Sequence, residues 1–163
     1  MSGEVRFRSI KTEIRVLGLS RCVPDPKNPD GLVIVGVVYR GRLWLDGVIW
    51  TRIPVDGRNA TEKIAAMITN SPHHKQLRVI VTERLTLKDH DLLNQEMLFK
   101  MTGLPVITLA KGMEKGKIVK QISTMGISQD DTLKVIEVSS TAGAMPEALR
   151  AADLIAVCLT KLA

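Results

Sequence analysis

The sequence predicts an α/β domain built on a mixed sheet, with an antiparallel hairpin followed by parallel strands and flanking helices. Three observations carry that prediction. Two early apolar, β-branched runs are separated only by Arg40-Gly41-Arg42, as in a hairpin. Later short apolar runs are interleaved with segments of helical period, as parallel strands joined by crossovers require. Aromatic residues make up only 3% of the 163 residues, so the core must come from Val, Ile, Leu, Met and Ala. That favours a buried sheet between helices over a sandwich. With 45% hydrophobic content and no dividing linker, residues 1–163 are expected to form one domain.

The first strand, Ile14 to Leu19, runs out into Ser20-Arg21. Pro24, Pro26 and Pro29 make the next segment a loop, because proline cannot donate to a ladder. Leu32 to Tyr39 and Leu43 to Ile53 form the hairpin. Trp44 and Trp50 alternate in phase with its apolar residues, which predicts at least one of them in the core. Asp56-Gly57 breaks the chain, and Asn59 is placed to cap a helix with Glu62 in a capping box. Ile64, Met67 and Ile68 line that helix, which ends at Ser71-Pro72-His73-His74. The two histidines read as a surface loop or cap, with no third ligand at metal spacing.

Leu77 to Val81 is a buried strand delivering Thr82-Glu83. Asp89 to Thr102 has helical spacing, His90 reads as its solvated start, and Gly103 supplies the stop. Leu104 to Leu109 is a further strand with Pro105 near its beginning. Lys111 to Lys117 is a basic loop without the Gly-Lys-Ser/Thr of a phosphate loop. Ile118, Val119, Ile122 and Met125 suggest a helix, Leu133 to Val138 a strand, and Pro146 opens a last helix. This order fits a ribonuclease H-like three-layer sheet. A doubly wound nucleotide-binding fold would need an early helix and a Gly-rich turn, which the chain lacks.

Three carboxylates, Asp56, Glu83 and Asp153, stand at the ends of these segments, where packing can bring them together around a divalent metal. Each also has a plainer reading: Asp56 as a turn acid, Glu83 as a solvated strand end, Asp153 as a helical acid that needs a partner if it faces the core. Ser20 has no evident histidine partner for nucleophilic work.

Ile14 to Gly18, the hairpin end Gly47 to Gly57, Ala60 to Lys63 and the closing Met145 to Asp153 resemble an uncharacterised archaeal family distantly similar to endonuclease V. The resemblance covers nearly the whole chain, and Pro146-Glu147-x-x-Arg150-x-Ala152-Asp153 is its most specific part. It implies a ribonuclease H-like fold in which acids hold Mg²⁺ for phosphodiester cleavage, with Asp56, Glu83 and Asp153 as catalytic and metal residues. It also marks a departure. Ser20 and Arg21 stand where the family's first-strand acids fall, and the Pro-aromatic-x-Pro wedge and the His-Pro-Arg of endonuclease V are missing. Arg21 is therefore expected to pair with Glu83 or Asp153 in place of the cation, leaving no metal cofactor.

Lys and Arg number 23 against 17 Asp and Glu, a formal charge of +6, which suits a polyanionic partner, DNA or RNA. Arg21, Arg52, Arg58, Arg84, Lys111 and Arg150 are the cations expected along a phosphate track. No apolar run approaches a membrane span, and Cys22 and Cys158 are expected as free thiols of a cytoplasmic protein. The leading expectation is a nucleic-acid-binding domain with an eroded, inactive metal site. The rivals are a Mg²⁺-dependent endonuclease and a protein-assembly module.

Overall fold

A computed structural model describes residues 3–22, 31–54, 56–87, 90–110, 122–141 and 145–162. The element order is β1 (Arg15–Arg21), β2 (Leu32–Arg40), β3 (Trp44–Ile53), α1 (Ala60–Thr69), β4 (Val79–Glu83), β5 (Thr86–Leu87), β6 (His90–Asp91), α2 (Gln95–Thr102), β7 (Val106–Leu109), β8 (Ile122–Met125), α3 (Gln129–Ser139) and α4 (Glu147–Leu162). Six strands form one sheet in the order β3-β2-β1-β4-β7-β8. The first three are antiparallel to one another, whereas β4 runs parallel to β1 and β7 parallel to β4. The sheet is mixed, as the sequence predicts, and the architecture is ribonuclease H-like.

Strand alternation sorts the core into layers. Leu17, Leu19, Ile34, Ile80 and Val106 point to one face, where they pack with Ile64 and Ile68 of α1 and Leu98 of α2. Val16, Val79, Val81 and Ile107 point to the other, against Val135 and Ile136 of α3 and Leu149 of α4. Val35 and Val37 extend that second face under Ala152 and Ala156. Ile64 and Ile68 are fully buried, each contributing roughly 1.5–3 kcal/mol by leaving water.

Several expected elements differ in the structure. Ile122 to Met125 is not helical but an edge strand antiparallel to β7; its expected helical start at 118–121 lies outside the described residues, as do the proline loop and the basic loop 111–117. Leu133 to Val138 belongs to helix α3. Ser128 caps that helix, accepting from the Asp131 N–H, and Thr132, Val135, Ile136 and Ser139 recur at helical spacing on its buried side. Residues 90–94 are not helical, because His90 and Asp91 pair with Leu87 and Thr86 as antiparallel strands, and the helix begins at Gln95; the expected start at Asp89 lies outside the described residues. Asn59 adopts a left-handed conformation (φ 57°) and makes no side-chain cap, so the capping box does not form. Gly103 ends α2 as expected, at φ 73°.

Neither tryptophan is core: Trp44 and Trp50 are 45% and 63% exposed. Strand β3 is an edge, and Trp50 lies opposite Val35 on the α4 face, beyond the cover the helix provides. His73 and His74 are structural. A Cβ added to Gly47 would lie 2.5 Å from His73 Nε2, so the ring packs on bare backbone, and His74 Nε2 lies 2.8 Å from the Thr102 carbonyl oxygen.

Candidate functional site

The carboxyl ends of β1 and β4 open at one end of the sheet. Leu19 is in register with Thr82, whose hydroxyl approaches the Leu19 carbonyl at 3.4 Å. Ser20 and Glu83 each follow that last paired rung by one residue. Alternation puts both on the α4 face, since Val16 and Val81 belong to the core on that side.

Helix α4 runs along β1 in the same sense. Its start rests on Gly18, where a Cβ would meet the Ala148 backbone at 2.3 Å, and further along Ala152 and Ala156 pack with Cys22. Leu149 shares the cluster of Val79 and Val81. Asp153 is one turn beyond Leu149, as Glu83 is two residues beyond Val81, so both advance about 6 Å toward the same end. Strand alternation and the helical period set Ser20, Glu83 and Asp153 toward the same end of the α4 side of the sheet. Ser20 is buried and Asp153 half-buried.

Arg21 does not join them. It alternates with Ser20 and so projects to the α1–α2 face, and it forms no ion pair with Glu83 or Asp153 among the described residues. Strand parity thus sets the Arg21 guanidinium on the face opposite Ser20. Asp56 closes its own turn, accepting from the Arg58 N–H at 3.0 Å and pairing with its guanidinium at 3.2 Å. Among the described residues no three of His, Cys, Asp and Glu could hold a metal ion.

The expected cations divide. Arg58, Arg84 and Arg150 pair with Asp56, Asp91 and Glu147, at 3.2, 2.7 and 2.9 Å, whereas Arg21 and Arg52 form no such pairs among the described residues. Lys111 lies outside the described residues. The Arg58–Asp56 and Arg84–Asp91 pairs are exposed on both sides and worth only about 0–1 kcal/mol, so a phosphate can displace the acid, whereas the partner of Arg150, Glu147, is nearly buried.

On the α1–α2 face, the ends of β4 and β7 and the start of α2 enclose a polar cleft of about 480 Å³ reaching from Glu83 and Arg84 to Thr108 and Ser123. The Gln95 amide nitrogen, 3.0–3.2 Å from the Val106 and Ser123 carbonyls and the Thr108 hydroxyl, ties β7 to β8 there. Ser123 returns a hydrogen bond to Gln95 Oε1 at 3.1 Å. Asn94 caps α2 by accepting from the Met97 N–H. Sequence reasoning missed this cluster. An Asn opening a helical run is a readable cap, but Gln95 meets strands that are distant in sequence.

Glu147 was missed as well. It opens α4 nearly buried, accepting from the Thr141 hydroxyl and from Arg150. Burial pushes its carboxyl upward, but those two donors outweigh it and hold the group below the ordinary glutamate value. The Glu-x-x-Arg of the closing motif is thus an ion pair across one helical turn.

Comparison with known proteins places this geometry. Residues 12–124 match the endonuclease dU family. The chain belongs to that family. Its archaeal relatives include a UPF0215 protein of Methanothermobacter thermautotrophicus, 36% identical, covering 94% of this chain and 91% of the relative. A UPF0215 protein of Methanosarcina mazei is 34% identical, over 93% of each chain. Among solved structures, a protein of unknown function from Archaeoglobus fulgidus superposes with a TM-score of 0.76 at 22% identity, over 90% of this chain and 98% of that one. Ciona intestinalis endonuclease V, in complex with a 24mer DNA containing an inosine followed by a ribo-adenosine, superposes at 0.62 with 12% identity, over 92% and 87%. The endonuclease dU-family chain thus shares the fold of endonuclease V. Among the described residues, no helix is long and apolar enough to cross a membrane.

Proposed function

We propose that this chain binds nucleic acid, DNA or RNA, at the carboxyl end of its sheet, and that its metal site is too eroded for cleavage. The observation that carries the reading is the place of Ser20, one residue past the last β1–β4 pair and on the same face as Glu83. A hydroxyl stands where a metal-bridging carboxylate is needed, and Asp56 is spent on Arg58. A neutral hydroxyl neither balances a divalent charge nor replaces a second carboxylate oxygen. The residues present therefore do not fit Mg²⁺, and no catalytic step is derived through it. Binding would rest on Arg21, Arg52, the exchangeable Arg58 and Arg84, and the exposed guanidinium of Arg150, which favours backbone phosphates over base edges. The free thiols Cys22 and Cys158 suit a reducing, cytoplasmic setting.

The test is fluorescence anisotropy with single- and double-stranded DNA and RNA, titrated against salt, beside a cleavage assay with Mg²⁺ and Mn²⁺. Affinity that falls with salt and uncut substrate are expected. No salt-dependent affinity for any of them would leave the assembly module standing.

One observation favours a second reading, a Mg²⁺-dependent endonuclease: Glu83 and Asp153 still share a face. Metal-dependent cleavage that disappears in Asp153→Ala would establish it.

A further inference from the structure

The opposite end of the sheet holds a second cavity, of about 410 Å³, between the N-terminal segment and the turn that precedes β4. Lys11, Arg15, Lys75 and Arg78 line it, and Glu13 is the one carboxylate among its lining residues. The site is built on strand starts. Arg15 opens β1, and its carbonyl accepts from the Arg78 N–H at 3.0 Å, just ahead of β4. Two of the cations are positioned by neighbours: Arg15 Nε donates to Asp46 at 3.1 Å, and the Arg78 guanidinium lies 5.5 Å from the Phe7 ring centroid. Lys11 and Lys75 have no ion-pair partner among the described residues.

Arg15 is already offset by Asp46, but Lys11, Lys75 and Arg78 meet on the same concave surface with Glu13 as the one carboxylate of the lining, an excess of positive charge that favours entry of an anion. Two fixed guanidinium planes and two flexible ammonium groups match the several acceptor oxygens of a phosphate. The volume falls within the range of small-molecule pockets, room for a nucleotide rather than a bare ion. We infer that this cavity is a phosphate-binding site, taking a nucleotide or one nucleotide unit of a strand. It lies about 20 Å from Ser20, the length of β1, so a single nucleotide does not reach both.

The test follows residue-specific amide NMR shifts on titration with inorganic phosphate, dAMP and an unlabelled single-stranded oligonucleotide. Anisotropy with the fluorescein-labelled strand runs in parallel. Shifts at Ser9, Lys75 and Arg78 that saturate are expected. Lys11→Glu with Lys75→Glu, both on the surface, should weaken the bound probe about tenfold, and should cut the salt slope for the strand by about two. Lys11→Arg with Lys75→Arg should retain binding. Tighter binding of the strand than of dAMP would identify a nucleic-acid backbone as the source, and equal binding a free nucleotide.

Absence of specific shifts with all three probes, or unchanged affinity in the Lys→Glu pair, would overturn the inference. Strand binding that is lost in Arg84→Glu but kept in the Lys→Glu pair would sink this site while leaving the function proposed above intact.

Discussion

Arg21 and Glu83 leave adjacent strands on opposite faces of the sheet. On the eroded-site proposal, the residue to restore is then Ser20, which shares the α4 face with Glu83, rather than Arg21. Ser20→Asp alone is predicted to create a site for Mn²⁺ or Mg²⁺. Metal at about a hundred times its Kd should then stabilise the variant by about 2.7 kcal/mol in thermal denaturation, with no effect on the unmodified chain. Arg21→Asp alone should gain nothing. Stabilisation of the unmodified chain by either metal would refute the eroded site.

Glu147 carries a pH-dependent part of the stability. Its carboxyl is held below the ordinary value of 4.5 in the folded chain by Thr141 and Arg150, against the upward push of burial. A depressed carboxyl pKa stabilises the fold above the unfolded value, and that contribution is lost as pH falls through the folded one. Glu147→Gln should therefore cost about 1–2 kcal/mol at pH 7 in urea denaturation, and the difference should shrink below pH 4.5. A constant difference across that range would contradict the assignment.

Gly47 and His73 should behave as a coupled pair. A methyl group at 47 meets the imidazole at 2.5 Å, so Gly47→Ala is predicted to destabilise by about 1–3 kcal/mol. Adding His73→Ala should recover part of that loss, and a double-mutant cycle reads the coupling directly. Strictly additive losses would show that the strain lies elsewhere.

Both indoles stand in water at the open edge of the sheet. Tryptophan emission of the native chain is expected close to that of the unfolded chain, with ready quenching by acrylamide. A strongly blue-shifted, protected emission would show that the β3 edge is covered in solution.

The fold was legible where pattern and length agree. The run of β-branched residues in Leu32 to Tyr39, the short basic turn and Pro146 each have one reading, and the structure follows them. Leu133 to Val138 misled because Leu133, Val135, Ile136 and Val138 are strand formers, while the cap three residues ahead of Asp131 and the acids of the first turn pointed to a helix. Ile122 to Met125 is too short for its period to separate helix from edge strand.

The site was legible as a set of residue types but not as an arrangement. Which side of the strand Arg21 takes follows from alternation with Leu17 and Leu19, yet which side carries α4 is decided by packing among distant segments. Asp56 sits beside its own counter-ion two residues away, a local solution that competes with any remote one. The Gln95 cluster depends on β7 meeting β8, and no local pattern announces that.

Gly18 has a larger part than its size suggests. Because it presents no side chain, α4 lies directly on the strand, with Ala148 and Leu149 against its backbone. The reach of Asp153 toward the end of the sheet is thus metered by an absent methyl group. A chain that acquired a side chain at this position would lift the helix as a rod and withdraw its acid from Glu83, altering the site while leaving every residue in it unchanged.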